Sequence, residues 1–157
     1  MSPLPRILLV EDDLIASFLH QRLLQRLDVA EELVAVANGA QALDYLTSLK
    51  EEGENPCPTL ILLDLHMPIL DGWTFLEIYG QLPFLQRQAP VVVLAVSMLS
   101  IADLERLQEL PVAALLYKPL TAEKVKQLLR LIPASQGGEF RNHTIPFIGD
   151  SASNYKA

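Results

Sequence analysis

The chain has 157 residues, 50% of them apolar, and a formal net charge of −7, which leaves room for one domain with a substantial core and little else. The acidic balance opposes nonspecific binding to a nucleic-acid backbone, which needs clustered Lys and Arg. No apolar run approaches the roughly 20 residues of a membrane-spanning helix, Arg6 stands alone where a signal peptide would be basic and then apolar, and the lone Cys57 excludes an internal disulfide and fits a reducing compartment. The expectation is a soluble, cytoplasmic protein with neither nucleic acid nor membrane as partner.

In chain order, short apolar strands alternate with helical periodicity, the pattern of an α/β doubly wound parallel sheet. Strands are predicted over 6–10, 32–37, 59–63, 90–96 and 112–117. After the first strand, Ile15, Phe18, Leu19, Leu23 and Leu27 recur at helical spacing as the buried stripe, which leaves His20, Gln21 and Gln25 toward solvent. His20 is therefore read as a surface residue. Helices are predicted over 39–50, 72–82 and 121–131, with another starting at Ser100, where Asp103 three residues later resembles a capping box. The polar stretch 50–56 lengthens one connection. Asn38-Gly39 and Asp71-Gly72 read as turns, the second with glycine supplying an unusual backbone angle.

Three strands finish in charge. Glu11-Asp12-Asp13 follows the first, Asp64 crowns Leu60-Ile61-Leu62-Leu63, and Lys118-Pro119 follows the last. Ligands gather in the crevice at the carboxyl ends of parallel strands, so carboxylates and a lysine are expected to meet there. Two carboxylates about 4 Å apart repel by roughly 4 kcal/mol at an effective dielectric of about 20. A divalent cation relieves that repulsion, and hard oxygen donors suit Mg²⁺. Asp13 is read as a helix cap rather than a ligand.

The segments ILLVEDD, ANGAQAL, LILLDLHMPILDG and YKP together resemble the receiver domain of two-component response regulators, over about residues 5 to 132. The resemblance implies a flavodoxin-like (βα)5 sheet of strand order 2-1-3-4-5 and a receiver domain at 1–133, while the largely polar composition of 134–157 reads as a flexible tail or a segment appended for expression. The resemblance also implies that Asp64 is the phosphoacceptor, attacking a phosphohistidine on a sensor histidine kinase or phosphotransfer protein in a phosphorelay. Asp12 and Asp64 would ligate Mg²⁺ directly, Glu11 through water, and His66 through its backbone carbonyl. Lys118 would stabilise phosphoryl charge, and the Lys118-Pro119 bond is a candidate cis peptide. The chain would be a phosphoacceptor assisting its own phosphorylation and dephosphorylation rather than a turnover enzyme. The family's usual contact faces are the first helix, for the kinase, and the region of the fourth and fifth helices, for dimers or targets.

Departures from the pattern are equally informative. Ala95 stands where receivers carry a Thr or Ser that hydrogen-bonds the phosphoryl group, and Leu115 where many carry a switching aromatic. Ser97 lies about 6.6 Å further along the same strand face and could substitute only if the strand end bulges. These departures lend weight to an alternative, a phosphorylation-independent pseudo-receiver scaffold. A phosphohydrolase of the haloacid dehalogenase type ranks last, because His66 occupies the place of that family's second Asp. After the linker-like residues 133–138 too little chain remains for a DNA-binding effector, so a single-domain regulator acting on an unnamed protein target is expected. Docking of Ile145-Pro146-Phe147-Ile148 on a partner is the minor reading of the tail, a homodimer is compatible with the sequence, and Trp73 is expected near enough to the acidic site to report on it.

Overall fold

In the first strand, β1 (Leu4–Val10), Ile7 and Leu9 point to one side of the sheet and Leu8 and Val10 to the other, and all four are buried. Burial on both faces is the mark of a parallel sheet covered twice by helices. The computed structural model describes residues 3–48, 58–83, 86–96, 98–132 and 145–149. The chain continues through α1 (Leu14–Arg26), β2 (Ala30–Val36), α2 (Gly39–Ser48), β3 (Leu60–Asp64), α3 (Gly72–Tyr79), β4 (Val91–Ala95), α4 (Ile101–Gln108), β5 (Ala114–Tyr117), α5 (Ala122–Leu131) and β6 (Phe147–Ile148). All strand pairs are parallel, in the order β2-β1-β3-β4-β5-β6.

Two apolar layers result. Leu24 of α1 and Val125 and Leu128 of α5 pack with Ile7, Leu9, Leu62 and Leu116. On the opposite face Leu46 of α2, Phe75 and Tyr79 of α3 and Leu107 of α4 pack with Leu8, Ile61, Leu63 and Val93. Helix starts are fixed by side chains that accept otherwise unpaired backbone N–H groups: Asp13 from Ile15 and Ala16 at 2.9 and 3.1 Å, Asp71 from Thr74 at 2.8 Å, and Ser100 from Asp103 at 3.1 Å.

The flavodoxin-like order expected for the first five strands is present, and the tail adds a sixth that was not foreseen. Phe147 and Ile148 pair with Leu115 and Leu116, and Pro146 O accepts a hydrogen bond from Leu115 N at 3.0 Å. The apolar tetrad therefore docks on the chain's own sheet.

Two sequence readings of α1 are corrected. His20 is buried, at 7% exposure, while Ile15, Phe18 and Leu19 are 73%, 58% and 58% exposed. The inward line is set where Leu24 reaches the sheet, with Leu23 and Leu27 packed beside it. Stepping back from Leu24 by four and then three residues meets His20 and Ser17, not Phe18 and Ile15. A third correction concerns Gly72. It has no left-handed backbone angle; a Cβ there would stand 2.6 Å from Asp64 O and 2.7 Å from Leu65 Cα, so glycine is required for space. Helix α3 also stops at Tyr79, short of residue 82. The reading of Cys57 falls outside the described residues.

Candidate functional site

Register brings the charged strand ends together. Val10 pairs with Leu63, so Glu11 and Asp64 emerge side by side at the carboxyl edge, and Ala95 pairs with Tyr117, which precedes Lys118. Lys118 is anchored through its backbone N–H, which donates to Ala95 O at 2.8 Å. From there its ammonium donates to Glu11 Oε1 and Oε2 at 3.0 and 3.2 Å and stands 3.8 Å from Asp64 Oδ2. The other Asp64 oxygen, Oδ1, accepts from His66 N at 3.2 Å. The two carboxylate oxygens thus face different partners.

Carboxylate oxygens of Glu11, Asp12 and Asp64 all lie within 4.8 Å of one another. Glu11 and Asp64 are 3% and 5% exposed, so their charges are poorly solvated. Burial, reinforced by Asp64 and opposed by Lys118, pushes the Glu11 carboxyl up from 4.5 to about 7. An all-oxygen donor set of this spacing fits a hard divalent cation such as Mg²⁺, which takes one or two carboxylates and keeps waters. Glu11, Asp12 and Asp64 are the residues that would hold it. The His66 backbone lies on the loop directly after β3 and its imidazole is exposed.

Ala95 ends β4 beside this edge, 3% exposed, and Leu115 is fully buried in the layer under α2, α3 and α4. Ser97 lies outside the described residues. The Lys118–Pro119 bond is cis, as expected. Trp73 is buried at 9% exposure, with the Arg106 guanidinium 4.5 Å from its ring centroid.

The sequence reading misplaced or passed over two residues near the site. His20 is one: burial and the nearby Lys118 charge lower its pKa below 6.5, and its Nδ1 is buried with no hydrogen-bond partner among the described residues. Lys124 is the other, 3% exposed in the first turn of α5. A lysine there opposes the helix dipole, and that mismatch was the available signal.

The model of the family described as "Response regulator receiver domain" matches residues 7–130. This chain belongs to the response regulator receiver family. Among curated relatives of this receiver, the "Probable methanogenesis regulatory protein FilR2" of Methanothrix harundinacea (strain 6Ac) is 38% identical over 128 residues, 80% of this chain and 79% of that protein. "Response regulator Rcp1" of Synechocystis sp. is 42% identical over 91 residues, 58% of this chain and 61% of the relative. A two-component response regulator structure from Cytophaga hutchinsonii superposes with a TM-score of 0.72 at 26% identity, covering 83% of this receiver and 97% of that chain. Among the described residues no helix is long and apolar enough to cross a membrane.

Proposed function

We propose that this receiver accepts a phosphoryl group on Asp64 from a phosphohistidine of a sensor histidine kinase or phosphotransfer protein, and signals by binding a protein target. The observation that carries this reading is the convergence of Glu11, Asp12, Asp64 and Lys118 on one sheet edge. An Asp64 oxygen attacks phosphorus, the P–N bond to the donor imidazole breaks, and the imidazole leaves with the bond's electron pair. The Lys118 ammonium, 3.8 Å from Asp64 Oδ2, is placed to turn from Glu11 toward the incoming phosphoryl oxygens. His66 N–H holds the other Asp64 oxygen in place, so positioning and electrostatics supply most of the catalysis. Mg²⁺ held by Asp12 and Asp64 directly, by Glu11 through water and by the His66 carbonyl would neutralise phosphoryl charge. No substrate is turned over beyond the receiver's own phosphorylation and dephosphorylation.

Partner docking is supported by α1. Leu14, Ile15, Phe18 and Leu19 are 81%, 73%, 58% and 58% exposed on a helix whose cap, Asp13, adjoins Asp12. Contiguous exposed apolar side chains beside a reactive group suit a protein partner.

The Ala95 methyl favours a second reading, a scaffold that binds partners without phosphorylation. Incubation with Mg²⁺ and acetyl phosphate followed by intact-mass measurement separates the two. One added phosphoryl group, absent from Asp64→Asn, is the expected result; no addition, with transfer from a cognate kinase also failing, leaves the scaffold.

A further inference from the structure

We infer that Lys124 is a positioning residue that holds the turn carrying Lys118, and through it the place of the Lys118 ammonium over Asp64. Lys124 Nζ donates to Tyr117 O at 2.8 Å and to Pro119 O at 2.9 Å, the carbonyls on either side of Lys118. Lys118 N in turn donates to Ala95 O at 2.8 Å. The backbone of Lys118 is therefore gripped from β4 on one side and from α5 on the other. The first turn of α5 that supplies the grip is itself fixed, because Thr121 Oγ1 accepts from Lys124 N at 3.2 Å.

Burial and the helix dipole both count against a lysine here. The residue is 3% exposed, so its charge is desolvated, and it sits at the helix end where a cation is disfavoured. An apolar side chain of similar length would avoid both costs. What an apolar side chain cannot do is donate charge-assisted hydrogen bonds to two carbonyls at once. The geometry those bonds fix is that of the turn from which Lys118 reaches Glu11 and Asp64.

The assignment rests on Lys118 serving the phosphoryl group as proposed above, and it is tested on the full chain. Phosphorylation by acetyl phosphate with Mg²⁺ is followed by intact mass for Lys124→Met, Lys118→Ala and the double variant, each checked by thermal melting. Lys124→Met is expected to slow phosphorylation about 10- to 100-fold, the scale of a small misplacement of a reacting group. In the Lys118→Ala background the same change is expected to matter less than about twofold, because the group it positions is gone. Equal slowing in both backgrounds, or no slowing in either, overturns the assignment. Should Lys124→Met not fold, Lys124→Gln, which keeps a donor to one carbonyl, enters the same two-background comparison. A second readout needs no phosphorylation: the Lys118 Cε–Hε NMR signals are expected to shift in Lys124→Met and to return part-way in Lys124→Gln. If the wild-type protein takes no phosphoryl group, the Asp64 reading falls and the NMR comparison alone decides. Shifted signals then keep Lys124 as the holder of Lys118, and unmoved signals remove it.

Discussion

Lys118 Nζ lies 3.0 Å from Glu11 Oε1 but 3.8 Å from Asp64 Oδ2, so the ammonium sits closer to the acidic group whose pKa is raised by burial than to Asp64. Glu11 carries its proton up to about pH 7 in the folded protein against 4.5 ordinarily. Between those values the folded chain holds a proton that the unfolded chain has released, so stability is full below the lower value and falls as pH rises through the higher one. Glu11→Gln fixes the protonated form. Its advantage over wild type in metal-free urea unfolding is expected to grow by up to about 3 kcal/mol between about pH 4 and pH 8. A pH-independent difference would remove Glu11 as the titrating group. Wild-type Mg²⁺ affinity is expected to rise over the same window, as deprotonation completes the donor set.

Gly72 tests how tightly the site is built onto its helix. Its missing Cβ leaves room for Asp64 O and Leu65 Cα, and Gly72 N donates to Leu65 O at 2.9 Å. Because the neighbours are backbone, they cannot swing aside. Gly72→Ala is expected to lose about 1 to 3 kcal/mol of stability in urea unfolding and to slow acetyl phosphate labelling of Asp64. Wild-type values for both would mean that the loop gives way more easily than its contacts imply.

What the sequence made legible follows from chemistry that is local. An apolar run that ends in an ionisable residue marks a parallel strand and its functional end together, which is how Glu11, Asp64 and Lys118 could be found before any coordinates. The inward side of α1 was not legible in this way. Phe18 and Leu19 are as apolar as Leu23 and Leu24, and periodicity reports that a stripe exists without reporting which side meets the sheet. Lys124 was hidden because a charged side chain in a helix reads as solvated, and its burial depends on carbonyls of Tyr117 and Pro119 whose positions only the folded turn creates. Gly72 was readable as important but for the wrong reason, since close approach of the backbone at the end of β3 to the start of α3 leaves no trace in local spacing. β6 has two residues, too few for any period to show.

Ala95 poses the question of output. Its methyl stands at the end of β4, beside the edge that holds Asp64, and offers no hydrogen bond to a phosphoryl oxygen. Ala95→Thr introduces a donor whose charge-assisted bond is worth about 1.5 to 3 kcal/mol. The expected outcome is a larger activated population at saturating phosphorylation, measured by phosphate-dependent NMR shifts in β4 and β5, together with an altered phosphate lifetime. Identical populations and lifetimes in the two proteins would show that the receiver does not couple through this position. Leu115, buried under α2, α3 and α4, is left unchanged in the experiment so that only the donor varies.

The exposed side of α1 separates docking from chemistry. Ile15 and Phe18 are 73% and 58% exposed and Arg22 stacks on the Phe18 ring at 5.8 Å, so the face is apolar with a basic margin. None of these side chains contributes to the acidic cluster formed by Glu11, Asp12 and Asp64. Truncating Ile15 and Phe18 together to Ala is therefore expected to leave labelling by acetyl phosphate unchanged, and to shift stability by no more than about 0.5 kcal/mol for each exposed site. Transfer from a phosphohistidine protein is expected to fall at least about tenfold, the effect of losing a buried aromatic anchor at an interface. A small donor needs only the site, whereas a protein donor must also seat its histidine against the receiver, and the ratio of the two rates isolates that seating. Equal losses with both donors would instead place the effect on Asp64 itself, through the Asp13 cap that joins α1 to Asp12. Transfer unaffected in both would move the docking face elsewhere on the fold.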